Sequence, residues 1–235
     1  MWSHHGLRQF HDRELPLRHQ IGPLRQEMGL TIFMVVLAAF SALLYRLTGQ
    51  DDLLLGSPVA GRQTPGAELL IGFFVNTVVL RAQLEPGMTF RQLLAQVKAR
   101  VLRVYDHQQL PFDRLVEELA PKRDLSYPPV YQVMFALHNV PLPPVTMKGV
   151  KSEQEYIQNG ASQVDLILFV GQGTDDEKED IPQFEYNTDL FDATTMQRWL
   201  IHLELLTEAM IADPDQPVAA VSLLSDGQRQ QLLVE

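Results

Sequence analysis

The sequence predicts an α/β protein, an open mixed sheet covered by helices. Stretches with apolar residues at helical spacing alternate with short runs rich in β-branched residues, and Gly or Pro marks the turns between them. The second half is strand-rich, so some strands are expected to pair antiparallel.

Residues 24–48 read as helical: Leu30 and Thr31 open the segment, Gly49 closes it, and Ala, Leu and Met dominate between. Residues 52–60, DLLLGSPVA, are a short apolar run broken by Ser57-Pro58, the pattern of a buried strand ending in turn chemistry. A polar loop with Gly and Pro follows at 61–67. A Gly-Phe-Phe turn then leads into VNTVVLRAQL at 75–84, whose β-branched centre suits a second strand. Residues 89–105 form an amphipathic helix, capped by Thr89, with Phe90, Leu93, Leu94, Val97, Val101 and Val104 on one face. A shorter helix at 112–119 is stopped by Pro121. Strands are expected at 131–138, 164–170 and 184–186. Between them lie a Pro-rich loop at 141–144 and an acidic loop at 175–180, which reads as a solvated turn. Asp192 announces a long helix at 193–212. The organisation is therefore a tail at 1–14, a folded body at 15–213 and a linker at 214–235.

Composition removes several functions. The 235 residues carry 19 Lys+Arg against 29 Asp+Glu, a formal net charge of −10, so no uniform basic field exists for gripping nucleic-acid phosphates. With no Cys there is no disulfide, no thiolate nucleophile and no Cys-ligated zinc. The 46% hydrophobic content fits an ordinary globular chain, and the length suits one large domain or two small ones. Residues 1–20 contain four His and no apolar core of a secretory signal, so a cytoplasmic protein is expected. The nearly all-apolar stretch 29–45 is shorter than the about 20 residues of a membrane span. It carries Thr31 and Ser41 and stops at Arg46, so it reads as a buried helix.

By spacing alone no complete catalytic constellation is present. His4, His5, His11 and Asp12 lack the spacing of a helical zinc motif and lie near a terminus. His107 follows Asp106, but neighbours in sequence point apart on a helix, so a helix-end role is the better reading. His138 and His202 are isolated and read as structural. Ser57 lacks the spacing of a nucleophile elbow, and Pro58 after it has no N–H for an oxyanion hole. No Gly-rich phosphate loop occurs. One feature stands out: a Gly hinge and two Phe directly precede Asn76, which is expected to sit inside an apolar strand. A buried Asn needs partners, so it either ties two backbone segments together or faces a channel.

Three segments, taken in order, resemble the C-terminal half of the condensation domains of nonribosomal peptide synthetases. They are IGFFVNTVVLR at 71–81, HQQLPFDRLVEEL at 107–119 and RDLSYPPVYQVMFALHN at 123–139. Supporting segments precede them, ending in LLLGSPVAGR, and follow them as FEYNTDLFD at 184–192. The resemblance implies a chloramphenicol-acetyltransferase-like subdomain, one of two set in a V around a tunnel. It implies that phosphopantetheine arms of donor and acceptor carrier proteins enter from opposite ends, with no cofactor bound by the chain itself. The acceptor amine then attacks the donor thioester. On this resemblance Gly72, Phe74, Asn76 and Thr77, with Gln108, Pro111 and Phe112, belong to the tunnel wall. Arg123, Asp124 and Ser126 form a structural, bridging motif, and the last residues resemble a linker to a downstream adenylation domain.

The family's catalytic HHxxxDG motif belongs to the N-terminal half and is not in this sequence. His4-His5 cannot stand for it, because Gln9 and Phe10 occupy the places of its Asp and Gly. The expected protein is therefore inactive without an N-terminal half. Two other readings stay open: an epimerisation or heterocyclisation relative of the same fold, and a non-catalytic module that docks carrier proteins through a local patch such as Arg91, Lys98, Arg100 and Arg103.

Overall fold

Two helices, not one continuous segment, occupy the region read as helical at 24–48. Helix α1 (Gly22–Met28) begins two residues early because Pro23, which has no N–H to lose, sits in its first turn. Gly29 then ends it in the left-handed conformation (φ 61°), its N–H closing on the Arg25 carbonyl. Thr31 starts α2 (Ile32–Thr48) by accepting from the Met34 N–H at 3.2 Å. The two axes differ by 102°. A glycine stop and a threonine cap in close succession thus overrode the helix propensity around them. The computed structural model describes residues 21–62, 65–120, 128–138, 162–172, 180–224 and 230. The tail at 1–14, Arg123, Asp124, Ser126, most of the acidic loop and the end of the linker lie outside them.

Five strands follow the expected order: β1 (Asp52–Val59), β2 (Asn76–Gln83), β3 (Val133–His138), β4 (Leu166–Gln172) and β5 (Asp180–Tyr186). They are ordered β2-β1-β3-β4-β5 in one sheet. β1 pairs antiparallel with β2 and parallel with β3; β3 and β4 are parallel, and β4 and β5 antiparallel. The sheet is mixed, as the sequence predicts. The remaining helices are α3 (Phe90–Asp106), α4 (Phe112–Leu119) and α5 (Ala193–Ala212).

Strand periodicity sorts the two faces. Leu53 and Leu55 of β1, Leu80 and Ala82 of β2, Leu166, Leu168 and Val170 of β4, and Phe184 and Tyr186 of β5 join α2, α3 and α5 in one buried core. Every residue of α2 from Met34 to Leu44 is buried, so its apolar character is explained by enclosure in protein. Each fully buried Leu or Phe there is worth about 1.5–3 kcal/mol in removal from water. Among the described residues no single helix is long and apolar enough to cross a membrane. On the other sheet face a small cluster of Tyr131, Met134, Val164 and Ile167 receives Phe112 from α4.

Residues 214–221, read from sequence as the start of a linker, pack against the entry of α3. The first N–H groups of a helix have no partner within it. Here Phe90 donates to the Gln216 carbonyl at 3.3 Å and Arg91 to the Pro214 carbonyl at 2.7 Å. Thr89 and Gln92 complete the end with a reciprocal capping box. The Arg91 side chain pairs with Asp215 and Glu27, and Arg46 of α2 donates to the Val218 and Val221 carbonyls.

Candidate functional site

At the β2 end of the sheet, Asn76 is a junction. Its Nδ2 donates to the Gln108 carbonyl at 2.9 Å and to the Leu110 carbonyl at 2.7 Å, and its Oδ1 accepts from the Phe112 N–H at 3.1 Å. The local sequence explains why. Pro111, the residue that precedes α4, has no side-chain acceptor to cap the helix, so the N–H of its first residue, Phe112, finds Asn76 instead. Both carbonyls lie in the turn between α3 and α4, where no ladder can satisfy them. Gln108 adds a second tie, its Nε2 donating to the Tyr105 carbonyl at 2.9 Å. Asn76 is the first residue of β2 and only half-buried, rather than enclosed within an apolar strand.

Of the two readings left open for Asn76, the hydrogen bonds show the tie between backbone segments, and the same residue lines an open cleft of about 380 Å³. Phe74, Asn76, Gln108 and Pro111 line it, together with Gly61, Phe73, Val75 and Gln109. Gly72, Thr77 and Phe112 lie one residue outside this lining. Gly72 abuts the Phe74 ring; a Cβ added there would meet it at 3.0 Å. Thr77 hydrogen-bonds the Tyr131 phenol, and Phe112 sets its ring 5.4 Å from that of Tyr131. Tyr131 in turn lies on Gly56, where any Cβ would come within 2.5 Å of the ring.

The rim is shaped by Arg62. Its guanidinium donates to the carbonyls of Ala67, Leu70 (2.9 Å) and Gly72 (3.4 Å) and sits 4.3 Å from the centre of the Phe74 ring. Gly61 holds φ at 64°, and a Cβ there would lie 1.9 Å from the Phe74 carbonyl oxygen.

Among the described residues no titratable side chain lines the cleft. Burial pushes the Tyr131 phenol above its ordinary value, partly offset by Thr77. It likewise raises the Glu185 carboxyl, offset by Ser162, but Glu185 is on β5 at the far edge of the sheet. His202 on α5 is held below the ordinary imidazole range by burial, then by Arg198 and Arg46. His107 is the exposed C-terminal cap residue of α3, its backbone N–H donating to the Val104 carbonyl at 3.0 Å. Uncharged polar groups therefore equip the cleft to hold and orient a polar chain, and any proton transfer needs a group from elsewhere. The inventory of Asn76 is nearly spent: both amide hydrogens and one lone pair of Oδ1 are used, leaving one lone pair to meet a ligand N–H.

The basic patch considered for docking is mostly consumed by the fold. Arg91 is paired twice, Lys98 donates to the Met28 carbonyl at 2.6 Å, and Arg100 donates to the Arg81 carbonyl and Gln83. Arg103 alone of the four is exposed. Arg62, Gly61 and Tyr131 do not stand out in the sequence. All three lie in segments that carry the resemblance, and Gly61-Arg62 also stand directly after a strand and before a Pro- and Gly-containing loop, a place where a donor to loop carbonyls is useful.

A protein-family model described as Condensation domain matches residues 14–233. One subunit of the linear gramicidin synthase of Brevibacillus parabrevis is 46% identical over 220 residues, which make up 92% of this chain and 4% of that relative. A four-domain nonribosomal peptide synthetase bound to AMP and glycine superposes with a TM-score of 0.83 at 25% identity, over 96% of this chain and 18% of that one. The first condensation domain of the calcium-dependent antibiotic synthetase, in complex with a substrate analogue, gives a TM-score of 0.73 at 22% identity, over 95% of this chain and 48% of that one. The chain thus spans a small part of the gramicidin synthase relative and about half of that solved condensation-domain chain.

Proposed function

Since the chain belongs to the condensation-domain family, we propose that it is the C-terminal half of such a domain and forms one wall of the passage in which a peptide bond is made. The substrates are two acyl groups held as thioesters on the phosphopantetheine arms of donor and acceptor carrier proteins. The acceptor amine attacks the donor carbonyl; a C–N bond forms, the C–S bond breaks, and the proton lost by nitrogen accompanies the departing thiolate. The observation that carries this reading is the uncharged cleft framed by Asn76 and the turn it ties. Such a wall can align two tethered reactants, and alignment alone supplies a large part of an aminolysis rate. On this reading the remaining lone pair of Asn76 Oδ1 accepts from an amide N–H of an arm or substrate.

The proton-handling group belongs, on this reading, to the N-terminal half, and an adenylation domain stands downstream in a cytoplasmic multimodular synthetase. The phosphopantetheine arms are the partners' own groups. The test is dipeptide formation between loaded carrier proteins, with the complementary half supplied in trans. Product is expected with both halves and none with these 235 residues alone. Robust turnover by this chain alone overturns the half-domain reading.

A further inference from the structure

Residues 129–131, just before β3, take a conformation that a β-branched residue seldom accepts. Val130 holds φ at 75°, in the left-handed region, and the Tyr131 N–H donates to the Pro129 carbonyl at 3.0 Å. A hydrogen bond that closes over two residues around a positive φ makes a γ-turn of the rare, strained hand, and the branched Cβ of Val adds to the strain. Such a turn persists only where its surroundings over-determine it, and backbone strain of this kind gathers where a side chain has to be held at one angle. The Val130 side chain packs against the same small cluster as Tyr131, which fixes the turn from the other side.

The side chain so held is that of Tyr131, 7% exposed and seated on Gly56, whose missing Cβ makes the room. Its phenol hydrogen-bonds Thr77, the neighbour of Asn76 on β2. Its ring lies 5.4 Å from that of Phe112, whose N–H donates to Asn76 Oδ1. Tyr131 thus touches both segments that Asn76 joins, β2 and the start of α4. Any ring on a relaxed turn could fill the space over Gly56; the bond to Thr77 and the strained approach fix the ring's angle as well. Tyr131 is not among the residues that line the cleft, so whatever it does there it does through Asn76. We infer that Tyr131 is a positioning residue for peptide-bond formation, holding β2 and the start of α4 in the one arrangement that presents Asn76 to the cleft. This rests on the half-domain reading above, whose reaction supplies one of the two readouts.

The test pairs kinetics with amide exchange. Dipeptide formation between loaded carrier proteins is followed with the full chain and its complementary half, separating kcat from the KM of the acceptor carrier protein, and amide exchange is read on the full chain. Tyr131→Phe keeps the ring and removes the bond to Thr77; Thr77→Val removes the same bond from the other end. Each is expected to lower kcat about three- to tenfold with KM held within about twofold, the mark of a group that orients rather than binds. Each should also speed exchange of the Phe112 amide and leave the α2 amides unchanged. The double variant should lose no more than either single one, because both delete one bond. If the parent halves make no dipeptide, the half-domain reading falls and this inference with it. If the parent is active and both variants keep its kcat, the half-domain reading stands and the role of Tyr131 is overturned, even where Phe112 exchange quickens, since Tyr131 is then a brace of the fold alone. A raised KM with kcat kept assigns the loss to carrier-protein binding and overturns the proposal, as does equal acceleration of exchange in α2, which marks a loss of overall stability.

Discussion

The helical layer and the cleft corner belong to one sheet but are held together by different forces. In the layer, α2 is buried from Met34 to Leu44 and meets the sheet through Leu, Val and Phe, so cohesion is apolar and non-directional. In the corner, Arg62, Asn76 and Gln108 each reach a backbone group that no helix or strand satisfies. The layer supplies stability, because removing surface from water adds up over many residues. The corner supplies position, because a few directional bonds decide where the turn at 107–111 and the loop at 66–75 stand. The same division explains why the cleft has a defined shape without a large core beneath it.

Breaking the layer should give the largest loss. Phe40 is fully buried, with its ring tilted against Phe135 and Phe184 at 6.4 and 6.1 Å. Phe40→Ala is expected to cost about 3–5 kcal/mol in urea denaturation. A loss under about 1 kcal/mol would mean the layer is not the cooperative centre. Next comes the seam between the regions, where Gly56→Ala drives a Cβ into the Tyr131 ring and should cost about 1–3 kcal/mol by overpacking. Trimming the ring with Tyr131→Ala in the same chain should recover part of that loss; a double-mutant cycle with no coupling contradicts the contact.

The corner should respond in the opposite manner, with little stability lost and much geometry. Asn76→Ala deletes the cap of α4 and the donor to two carbonyls, yet the site is half-exposed and water can replace part of it. About 1–2 kcal/mol is expected. Amide exchange at Phe112 should accelerate strongly while that of α2 stays unchanged. Asn76→Asp keeps the acceptor for Phe112 but sets a carboxylate against two carbonyls, so it should not rescue the turn. Equal acceleration in α2 and α4 would erase the distinction between the regions.

The sequence makes the layer legible and the corner only half so. Helix α3 with its Thr89 cap, α4 from Phe112 to Leu119 and α5 behind Asp192 can be read because caps and apolar spacing are local properties. The break at Gly29 escapes such a reading because residues 24–48 keep good helix formers on both sides of it. Asn76 stands out as an oddity before a strand, but its partners are 32 to 36 residues away, and no periodicity carries that distance. Arg62 is invisible for a related reason: its carbonyl acceptors exist only once the loop has folded. Tyr131 and Gly56 meet across β1 and the entry to β3, a pairing set by strand order rather than by either segment.

His202, a titratable residue buried in the apolar layer, gives the mildest test of the comparison. His202 is only 7% exposed, and its Nδ1 has no hydrogen-bond partner among the described residues. Burial, Arg198 and Arg46 all favour the neutral ring, so its folded pKa lies below the ordinary imidazole value. The unfolded chain therefore takes up the proton first. Stability should be flat above about pH 6.5, the unfolded value, and fall as pH drops from there toward the folded pKa. Asp192, held at about 2 by Thr194 and Thr195, titrates well below that window. Glu185, raised by burial, tilts the curve the other way, because a buried acid loses stability as it ionises with rising pH. Comparing the parent with His202→Leu cancels that background. The variant should lose the decline that sets in below about pH 6.5, measured by urea melts at several pH values. A decline that persists unchanged in His202→Leu would show that the layer's acid sensitivity comes from its edges and not from this buried ring.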